Sequence, residues 1–314
     1  MGSSPADIDV AQRVTVLIKT FQRPRTVNAA IASIRRFYPS IPIIVADDSS
    51  STVTIVDSSA AVHRLPFDSG VAMGRNFLIA HAQTEYFLMV DDDNIFSRDT
   101  RLERMIDELE AGDFDIMSCL ILEGSSWLGD PKVRRHIVDF QMNLELSDGT
   151  LRFLEPDSAE RRDAIRCDLV HQFFLARTAK VRATGGWDER LKTADHTDFF
   201  LRMKNHGLKV GFTPLVAALH QDVAGERDSA DYAPYRRDRA AQFRRIWIET
   251  YGIRSLVGRN GKVISADDFI RGRSGVVKLG NIVRRPAPPG LISWNRLRAA
   301  AAGLFTNKAR GARD

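Results

Sequence analysis

The chain has 314 residues, of which 44% are hydrophobic and 27% charged, and its 45 Lys+Arg and 40 Asp+Glu leave a formal net charge of +5. This composition is typical of one large globular domain or two small ones, and it excludes collagen-like, disordered and membrane-embedded proteins. Two cysteines, Cys119 and Cys167, are too few for a disulfide framework and lack metal-binding spacing, so we expect a reducing compartment.

The basic charge is concentrated in the predicted basic tail, residues 271–314. This segment carries ten Lys/Arg and one acid, a net charge of +9, whereas residues 1–270 carry −4. Because residues 1–270 show no stripe of basic and aromatic residues, nucleic-acid binding is not expected. No apolar run is long enough for a membrane span and residues 1–12, predicted to be flexible, lack a signal-peptide pattern. The sequence therefore predicts a cytoplasmic protein.

The first half of the chain predicts an α/β sheet. Apolar, β-branched runs at 13–19 and 41–46 flank a helical pattern over 27–37, and this order predicts parallel strands joined by a right-handed crossover. The alternation continues with predicted strands at 62–67, 85–90 and 114–122 and predicted helices at 72–82 and 98–111. Residues 13–122 are thus expected to form a nucleotide-binding half.

The pattern becomes mixed over 123–222. Alternating polarity around the turn at 147–149 predicts an antiparallel hairpin within 133–154. Predicted strands at 167–176 and 208–220 and helices at 178–184 and 198–206 follow. Beyond this half we expect a helical extension over 223–270 with an amphipathic helix at 234–252, and then a linker at 284–290 before a basic terminal helix.

Three adjacent carboxylates, Asp91, Asp92 and Asp93, end a predicted buried strand. They repel one another unless a cation neutralises them, so removing one is not expected to destabilise the protein. Asp91 and Asp93 project to one side of an extended backbone, whereas Asp92 points away towards the chain or a sugar hydroxyl. Hard oxygen ligands at the edge where open α/β sheets bind ligands predict a Mg²⁺ or Mn²⁺ site. The alternative is a solvated turn or a helix cap.

Other polar groups follow neighbouring strands. Asp47 and Asp48 could accept hydrogen bonds from a ribose or a base, or could form an Asx-turn. Arg75 lies in a glycine-bearing loop, which matches neither phosphate-binding fingerprint. His220 follows an apolar strand and could ligate the same cation as Asp93, although a lone histidine is more often structural.

Taken in order, these motifs resemble those of a GT-A fold glycosyltransferase. The motifs are KTFQRP, IRRFYPSIPIIVADDS, LPFDSGVAMGRN, TEYFLMVDDDNIF, FFLARTAKVRATGGWDERL and DHTDFFLR. The chain is most similar to the β1,4-N-acetylgalactosaminyltransferases that extend gangliosides and related sialylated glycans. The resemblance covers roughly residues 13–222, which it identifies as the catalytic domain, and leaves the basic tail uncovered.

The resemblance implies a metal-dependent, inverting transfer of a sugar, N-acetylgalactosamine as the best guess, from a UDP-sugar to a glycan or glycolipid hydroxyl. It places in the nucleotide-sugar site Thr20, Phe21, Arg23, Asp47, Asp48, Arg75, Asp91, Asp92 and Trp187. It places at the Mn²⁺ or Mg²⁺ ion Asp91, Asp93 and His220. The resemblance further implies that residues 123–222 hold the acceptor and the metal ion. The identity of the acceptor and the oligomeric state stay open at this point.

The catalytic base is expected among Asp198, Asp195 and His196, ranked in that order. Asp198 matches the acidic position of the ganglioside-type relatives, although helix capping also explains a carboxylate there. Broader relatives carry Glu-Asp where this chain has Asp195 and His196, which leaves the base open.

Two other functions remain open at this point: a nucleotidyltransferase that makes sugar nucleotides, and an inactive UDP-sugar-binding module. The basic tail, with apolar residues interspersed, also predicts contact with an anionic membrane surface.

Overall fold

The computed structural model describes residues 10–123, 136–156, 164–221, 225–226, 229–236, 239–273 and 281–286. Its strands, in chain order, are β1 Val14–Thr20, β2 Ile43–Asp47, β3 Ala61–Arg64, β4 Tyr86–Asp91, β5 Asn94–Ile95, β6 Ile116–Glu123, β7 His136–Asp139, β8 Asn143–Ser147, β9 Thr150–Leu154, β10 Ile165–Cys167, β11 Phe173–Arg177, β12 Val210–His220, β13 Ser255–Val257, β14 Val263–Ser265 and β15 Val283–Pro286. Its helices are α1 Pro24–Phe37, α2 Val71–His81, α3 Leu102–Ala111, α4 Thr178–Ala183, α5 His196–Asn205, α6 Ala233–Arg236, α7 Ala240–Thr250 and α8 Ala266–Ile270.

A large mixed sheet in the order β10-β12-β6-β11-β4-β1-β2-β3 organises the chain. Strand β1 pairs in parallel with both β2 and β4, and β3 extends this parallel part at the edge, as the strand-helix-strand pattern predicts. Beyond β4 the sheet becomes mixed, because β11 pairs antiparallel with both β4 and β6. The expected α/β fold, a parallel sheet continued by a mixed part, is therefore confirmed.

Helices cover both faces of the sheet. Along β1, Val16 and Ile18 pack on the side of α1 and α3, whereas Leu17 packs on the side of α2 and α5. This alternation follows from the two-residue period of a strand. Each fully buried large apolar side chain contributes about 1.5–3 kcal/mol. The sheet is thus the middle layer of three, and its carboxyl edge stays free for the polar residues that follow the strands.

A second sheet, in the order β14-β13-β9-β8, packs in the mixed half. Its β8–β9 hairpin turns at Asp148 and Gly149, whose φ angles are 49° and 70°. Positive φ at both positions suits a tight hairpin, so the predicted hairpin is confirmed. The segment expected to be a helical extension supplies the other strands of this sheet, β13 and β14, together with α7 and α8.

The structure corrects three further predictions. The expected strand at 167–176 is divided into β10 and β11, because Asp168 and Leu169 leave the sheet and donate their N–H groups to the carbonyl of Met142. The expected helix at 234–252 is divided into α6 and α7. The expected linker begins as strand β15, which pairs antiparallel with β7.

The predicted flexible N-terminus (except 10–12), the predicted basic terminal helix and most of the basic tail lie outside the described residues. Both Cys119 and Cys167 are buried and unbonded to each other. Within the described part of the chain, every helix is too short or too polar to cross a membrane.

Candidate active site

The carboxyl ends of three parallel strands bring the predicted motifs to one place. In the β1–β2 pair Thr20 lies opposite Asp47, and in the β1–β4 pair Lys19 lies opposite Asp91. This register follows from parallel pairing alone, since the ends of parallel strands meet at one edge of a sheet. The expectation that these motifs share an edge is confirmed.

A cavity of about 130 Å³ opens at this edge. It is lined by Lys19, Thr20, Phe21, Arg23, Val71, Arg75, Asp91, Asp92, Asp93, His220, Tyr232 and Arg236. Eight of the residues predicted for the nucleotide-sugar or metal site therefore stand around one cavity. Phe21 forms an aromatic wall with Phe67 and Tyr235, at ring distances of 5.9 and 5.2 Å.

Asp92 is held by the chain itself. Arg23 forms an ion pair with its carboxylate, and the hydroxyl of Thr20 donates to its Oδ2 at 2.8 Å. Burial raises the pKa of Asp92 and the neighbouring Asp93 adds to this, although Arg23 opposes both. Asp92 thus points towards the chain as predicted, and it anchors Arg23 in the wall of the cavity.

Asp93 lies between two cations. Arg23 Nη1 donates to its Oδ2 at 3.0 Å, and His220 Nε2 lies 3.4 Å from its Oδ1. Burial alone would raise the pKa of Asp93, but His220 and Arg23 outweigh it and hold that pKa far below its usual range. Burial lowers the pKa of His220, but Asp93 and Glu123 outweigh that effect and raise it to about 10. The two predicted metal ligands are therefore neighbours.

These residues fit a divalent cation in their chemistry. Asp93 Oδ1 is buried and has no hydrogen-bond partner among the described residues. No three His, Cys, Asp or Glu side chains of the described ranges already converge as a metal site. Mg²⁺-type ions are commonly held by only one or two carboxylates plus substrate phosphates, so the pair of Asp93 and His220 suits an ion that arrives with a diphosphate.

Arg75 links the aspartate run to the predicted base loop. Its guanidinium donates to Asp91 Oδ1 at 2.7 Å and forms an ion pair with Asp195. Trp187 lies beneath it, with Arg75 Cζ 5.7 Å from the ring centroid. Trp187 is only 2% exposed and stacks on Phe199 at 4.0 Å, so it supports Arg75 from the core and does not line the cavity.

Asp47 and Asp48 are fully engaged with the protein. The two carboxylate oxygens of Asp47 accept from the backbone N–H groups of Ser49 and Val53. Asp48 forms a buried ion pair with Lys19 and accepts from the backbone N–H of Gly70 at 2.8 Å. Neither carboxylate lines the cavity, and the geometry favours the turn interpretation over contact with a ribose or base.

The three candidate bases occupy different environments. Asp195 contacts Arg75 at the cavity, whereas the Nδ1 of His196 contacts Gln172 Oε1. Burial lowers the pKa of His196 to about 3, so the ring is neutral and a weak base. Burial raises the pKa of Asp198 to about 7, and this carboxyl bonds with Tyr251 away from the cavity lining. The geometry therefore places Asp195 ahead of Asp198.

Four cavity residues were not predicted for the site: Lys19, Val71, Tyr232 and Arg236. The last two come from the segment after β12. Arg23 Cζ lies 4.7 Å from the ring centroid of Tyr232, and Arg236 Nε donates to the Tyr232 hydroxyl at 3.1 Å. Tyr232 and Arg236 follow strand β12 in the chain and line the cavity that His220 also lines. The mixture of tyrosine and arginine in DYAPYRRDR was the one signal available for them.

Comparisons with known proteins agree with this geometry. Residues 15–168 match the family model described as Glycosyl transferase family 2. Over 199 residues the chain is 37% identical to "Beta-1,4 N-acetylgalactosaminyltransferase 1" of Rattus norvegicus, and the alignment covers 62% of this chain. The chain spans only 37% of the length of that relative.

Two solved structures are similar in fold. The structure of S. aureus TarS aligns with a TM-score of 0.50 at 16% identity, over 75% of this chain and 39% of that one. The structure of GalNAc-T7 with UDP, GalNAc and Mn²⁺ aligns with a TM-score of 0.51 at 13% identity, over 72% of this chain and 47% of that one. Residues 15–168 of this chain therefore match a glycosyltransferase family 2 domain, and the fold is that of GT-A.

Proposed function

We propose that the chain transfers a sugar from a UDP-sugar to a hydroxyl of a glycan or glycolipid, with inversion at the anomeric carbon. The observation that carries the proposal is one cavity in which the Asp91–Asp93 run faces Arg23, Arg75 and Arg236. N-acetylgalactosamine is the proposed sugar, on the support of the activity named for the relative that is 37% identical.

The nucleotide is proposed to lie between the Phe21 wall and the arginines. Arg236 lines the cavity and, within the part of the chain that the structure describes, forms no ion pair with a carboxylate. A half-buried guanidinium without a carboxylate partner favours an anionic ligand, and its planar fork matches phosphate oxygens. Arg236 is accordingly assigned to the diphosphate.

Asp93 and His220, with Asp91 beside them, are the proposed holders of a Mn²⁺ or Mg²⁺ ion. When bound there, such an ion stabilises the negative charge that builds on the departing diphosphate. The chain's own contribution is to hold Asp93 in place through Arg23, and to hold Asp91 through Arg75. His220 must lose a proton before its Nε2 can act as a ligand, because its pKa is about 10 in the ion pairs of this structure.

Inversion needs a base on the face of the sugar opposite the leaving group. Asp195 is the proposed base, because it forms an ion pair with Arg75, which lines the cavity. Asp198 and His196 become second and third, since Asp198 bonds with Tyr251 and His196 contacts Gln172, and neither partner lines the cavity. This exchanges the first two places of the ranking made from the sequence.

The proposal is tested by measuring UDP release from a panel of UDP-sugars, with and without Mn²⁺ and with soluble acceptor glycans. A transferase releases UDP in proportion to glycosylated acceptor. A nucleotidyltransferase would instead consume a nucleoside triphosphate and release pyrophosphate, and a binding module would bind UDP-sugar without turnover. Tight binding of UDP-sugar and Mn²⁺ with no transfer to any acceptor would contradict the proposal.

The acceptor is further proposed to lie at an anionic membrane surface. This rests on the net charge of +9 over residues 271–314, most of which lie outside the described residues. Truncation after Pro286 should weaken sedimentation with anionic liposomes and spare turnover on a soluble acceptor. Equal sedimentation before and after truncation would contradict it. The cytoplasmic location stays a prediction.

A further inference from the structure

Glu123 lies beside His220 because of strand pairing. Strand β6 pairs in parallel with β12, and the register places Glu123 directly opposite His220 at the ends of both strands. The Oε1 of Glu123 is 3.4 Å from His220 Nδ1, and Asp93 Oδ1 is 3.4 Å from His220 Nε2. Each nitrogen of the ring therefore faces a carboxylate, and only one of these carboxylates lines the cavity.

Glu123 is in turn oriented by the C-terminal strand. Arg284 donates from Nε to Glu123 Oε2 at 2.8 Å. Strand β15 carries Arg284 and pairs with β7, which pairs with β6, so the contact reaches across one intervening strand. An arginine 161 residues away in the sequence thus fixes the carboxylate behind His220.

A neutral imidazole has one N–H and one lone pair, and only the lone pair can bind a cation. If Nδ1 carries the proton and its N–H donates a hydrogen bond to Glu123, Nε2 presents its lone pair towards Asp93 and the cavity. Without an acceptor at Nδ1, the ring can adopt either tautomer and can turn. Ligating histidines almost always donate their second ring N–H to a carboxylate, a carbonyl or water for this reason.

We propose that Glu123, held by Arg284, is a positioning residue that fixes His220 with Nε2 towards the cation. This inference rests on the proposed function, since it assumes that His220 is a metal ligand. It goes further by assigning a task to Glu123, which touches neither the cavity nor the diphosphate. It also makes strand β15, which precedes the undescribed end of the chain, a part of the metal site.

The test compares Glu123→Ala, Glu123→Gln and Arg284→Gln in the full chain. The dissociation constant of Mn²⁺ is measured at saturating UDP from the electron paramagnetic resonance signal of free Mn²⁺, and the affinity for UDP alone is measured without metal. Arg152→Gln is the matched control, because Arg152 is similarly exposed, 40% against 45% for Arg284, and pairs with Glu145 in the second sheet.

Glu123→Ala should weaken Mn²⁺ binding by roughly 10- to 100-fold while metal-free UDP affinity stays unchanged. Glu123→Gln should lose less, because its amide oxygen still accepts from Nδ1. Arg284→Gln should also lose less Mn²⁺ affinity than Glu123→Ala, because it removes only the hydrogen bond that orients Glu123. Arg152→Gln should match the wild type.

Mn²⁺ affinity of Glu123→Ala within twofold of the wild type would overturn the inference. An equal loss of metal-free UDP affinity would overturn it too, because that result marks collapse of the cavity. If Glu123→Ala does not fold, Glu123→Leu, which also lacks an acceptor for Nδ1, is measured against Arg152→Gln by the same criterion. Absence of Mn²⁺-dependent UDP binding in the wild type would remove the proposed function itself, a result distinct from a defect confined to the variants.

Discussion

The two halves of the molecule differ in how they accommodate several of their buried titratable groups. In the parallel half, Asp48 and Asp92 lie in ion pairs with Lys19 and Arg23, and Asp47 accepts two backbone N–H groups. In the mixed half, three titratable side chains each bury an atom without a hydrogen-bond partner in the described structure: His171 Nδ1, His196 Nε2 and Asp198 Oδ2.

The difference extends to charge. Burial lowers the pKa of both His171 and His196 to about 3, and burial raises the pKa of Asp198 to about 7. All three shifts favour the neutral form, whereas the parallel half retains charges by pairing them. This division suits the proposed reaction, since a diphosphate is anionic and a sugar carries neutral hydroxyl and acetamido groups. Asp195, paired with Arg75, and His220, paired with Asp93 and Glu123, are charged exceptions next to the cavity.

The largest expected effect is that of Asp93→Asn, which removes a charge from the centre of the parallel half. Turnover and Mn²⁺-dependent UDP binding should fall by 10²-fold or more, because the proposed cation loses a carboxylate and because Arg23 and His220 lose their shared partner. Isothermal titration with UDP and Mn²⁺ measures the loss.

The same substitution tests an expectation that the structure reverses. Mutual repulsion of the aspartates predicts no loss of stability, but Asp93 is a buried counterion of Arg23. Removing one partner of a buried pair costs about 3–5 kcal/mol, so the metal-free variant should unfold at lower urea concentration. Unchanged UDP binding with Mn²⁺ would contradict the metal assignment, whatever the stability.

The next effect concerns Asp195, a charged residue of the mixed half. Asp195→Asn should lose roughly 10²- to 10⁴-fold in turnover and keep its affinity for the UDP-sugar, because a general base acts only on the acceptor proton. Asp198→Asn is the matched control, since it removes a neighbouring carboxyl that bonds with Tyr251 and not with the cavity residue Arg75. A larger loss for Asp198→Asn than for Asp195→Asn would restore the ranking made from the sequence.

A third test removes one partner of the buried ion pair between Lys19 and Asp48 in the parallel half. Asp48→Asn leaves the buried ammonium of Lys19 without its counterion, and burial already lowers the pKa of Lys19. We expect a loss of about 3–5 kcal/mol in the free energy of unfolding, measured in urea.

Two controls accompany this test. The double substitution Lys19→Met/Asp48→Leu should recover most of the loss, since apolar replacement of both partners removes the unpaired charge. Asp113→Asn, which removes the carboxylate of an exposed pair with Lys209, should leave the unfolding curve unchanged. A loss as large in Asp113→Asn as in Asp48→Asn would remove the distinction between buried and surface pairs.

The smallest effect is the pH dependence that Asp198, a group of the mixed half, gives to the free energy of unfolding. The folded pKa of Asp198, about 7, lies above its unfolded value of about 3.8, so the folded state binds the proton more tightly. The stabilising contribution of the protonated group is therefore present at low pH and is lost as the pH rises from about 4 through about 7.

Asp198→Asn removes this dependence because an amide does not titrate. Relative to the wild type, the variant should gain on the order of 1–3 kcal/mol in the free energy of unfolding between pH 5 and pH 8. Urea unfolding at the two pH values measures that gain. Parallel wild-type and variant profiles across this range would show that Asp198 is ionised in the folded protein.

Local patterns in the sequence were enough for the strand order of the parallel half and for the gathering of its motifs. The β-branched runs end at Thr20, Asp47 and Asp91, and parallel pairing then brings these ends to one edge without any knowledge of side-chain contacts. The metal pair of Asp93 and His220 needed the family resemblance as well, because a lone histidine after a strand carries little information.

Only the tertiary structure decided which carboxylates are already engaged. The sequence leaves open whether Asp47 and Asp48 contact a ligand or form a turn, because both residues end a strand. Lys19 and the loop backbone neutralise both, and these partners come from a neighbouring strand and turn. Trp187 was likewise assigned to the donor, whereas its stacking on Phe199 places it in the core.

The sequence by itself thus determined the α/β order, the hairpin and the shared edge, because each depends on a period or a turn within about ten residues. The tertiary structure decided the contributions of Tyr232, Arg236 and Arg284, which reach the site from the far end of the chain. Such contacts depend on how distant segments pack, and no periodicity in the segment itself encodes its partner.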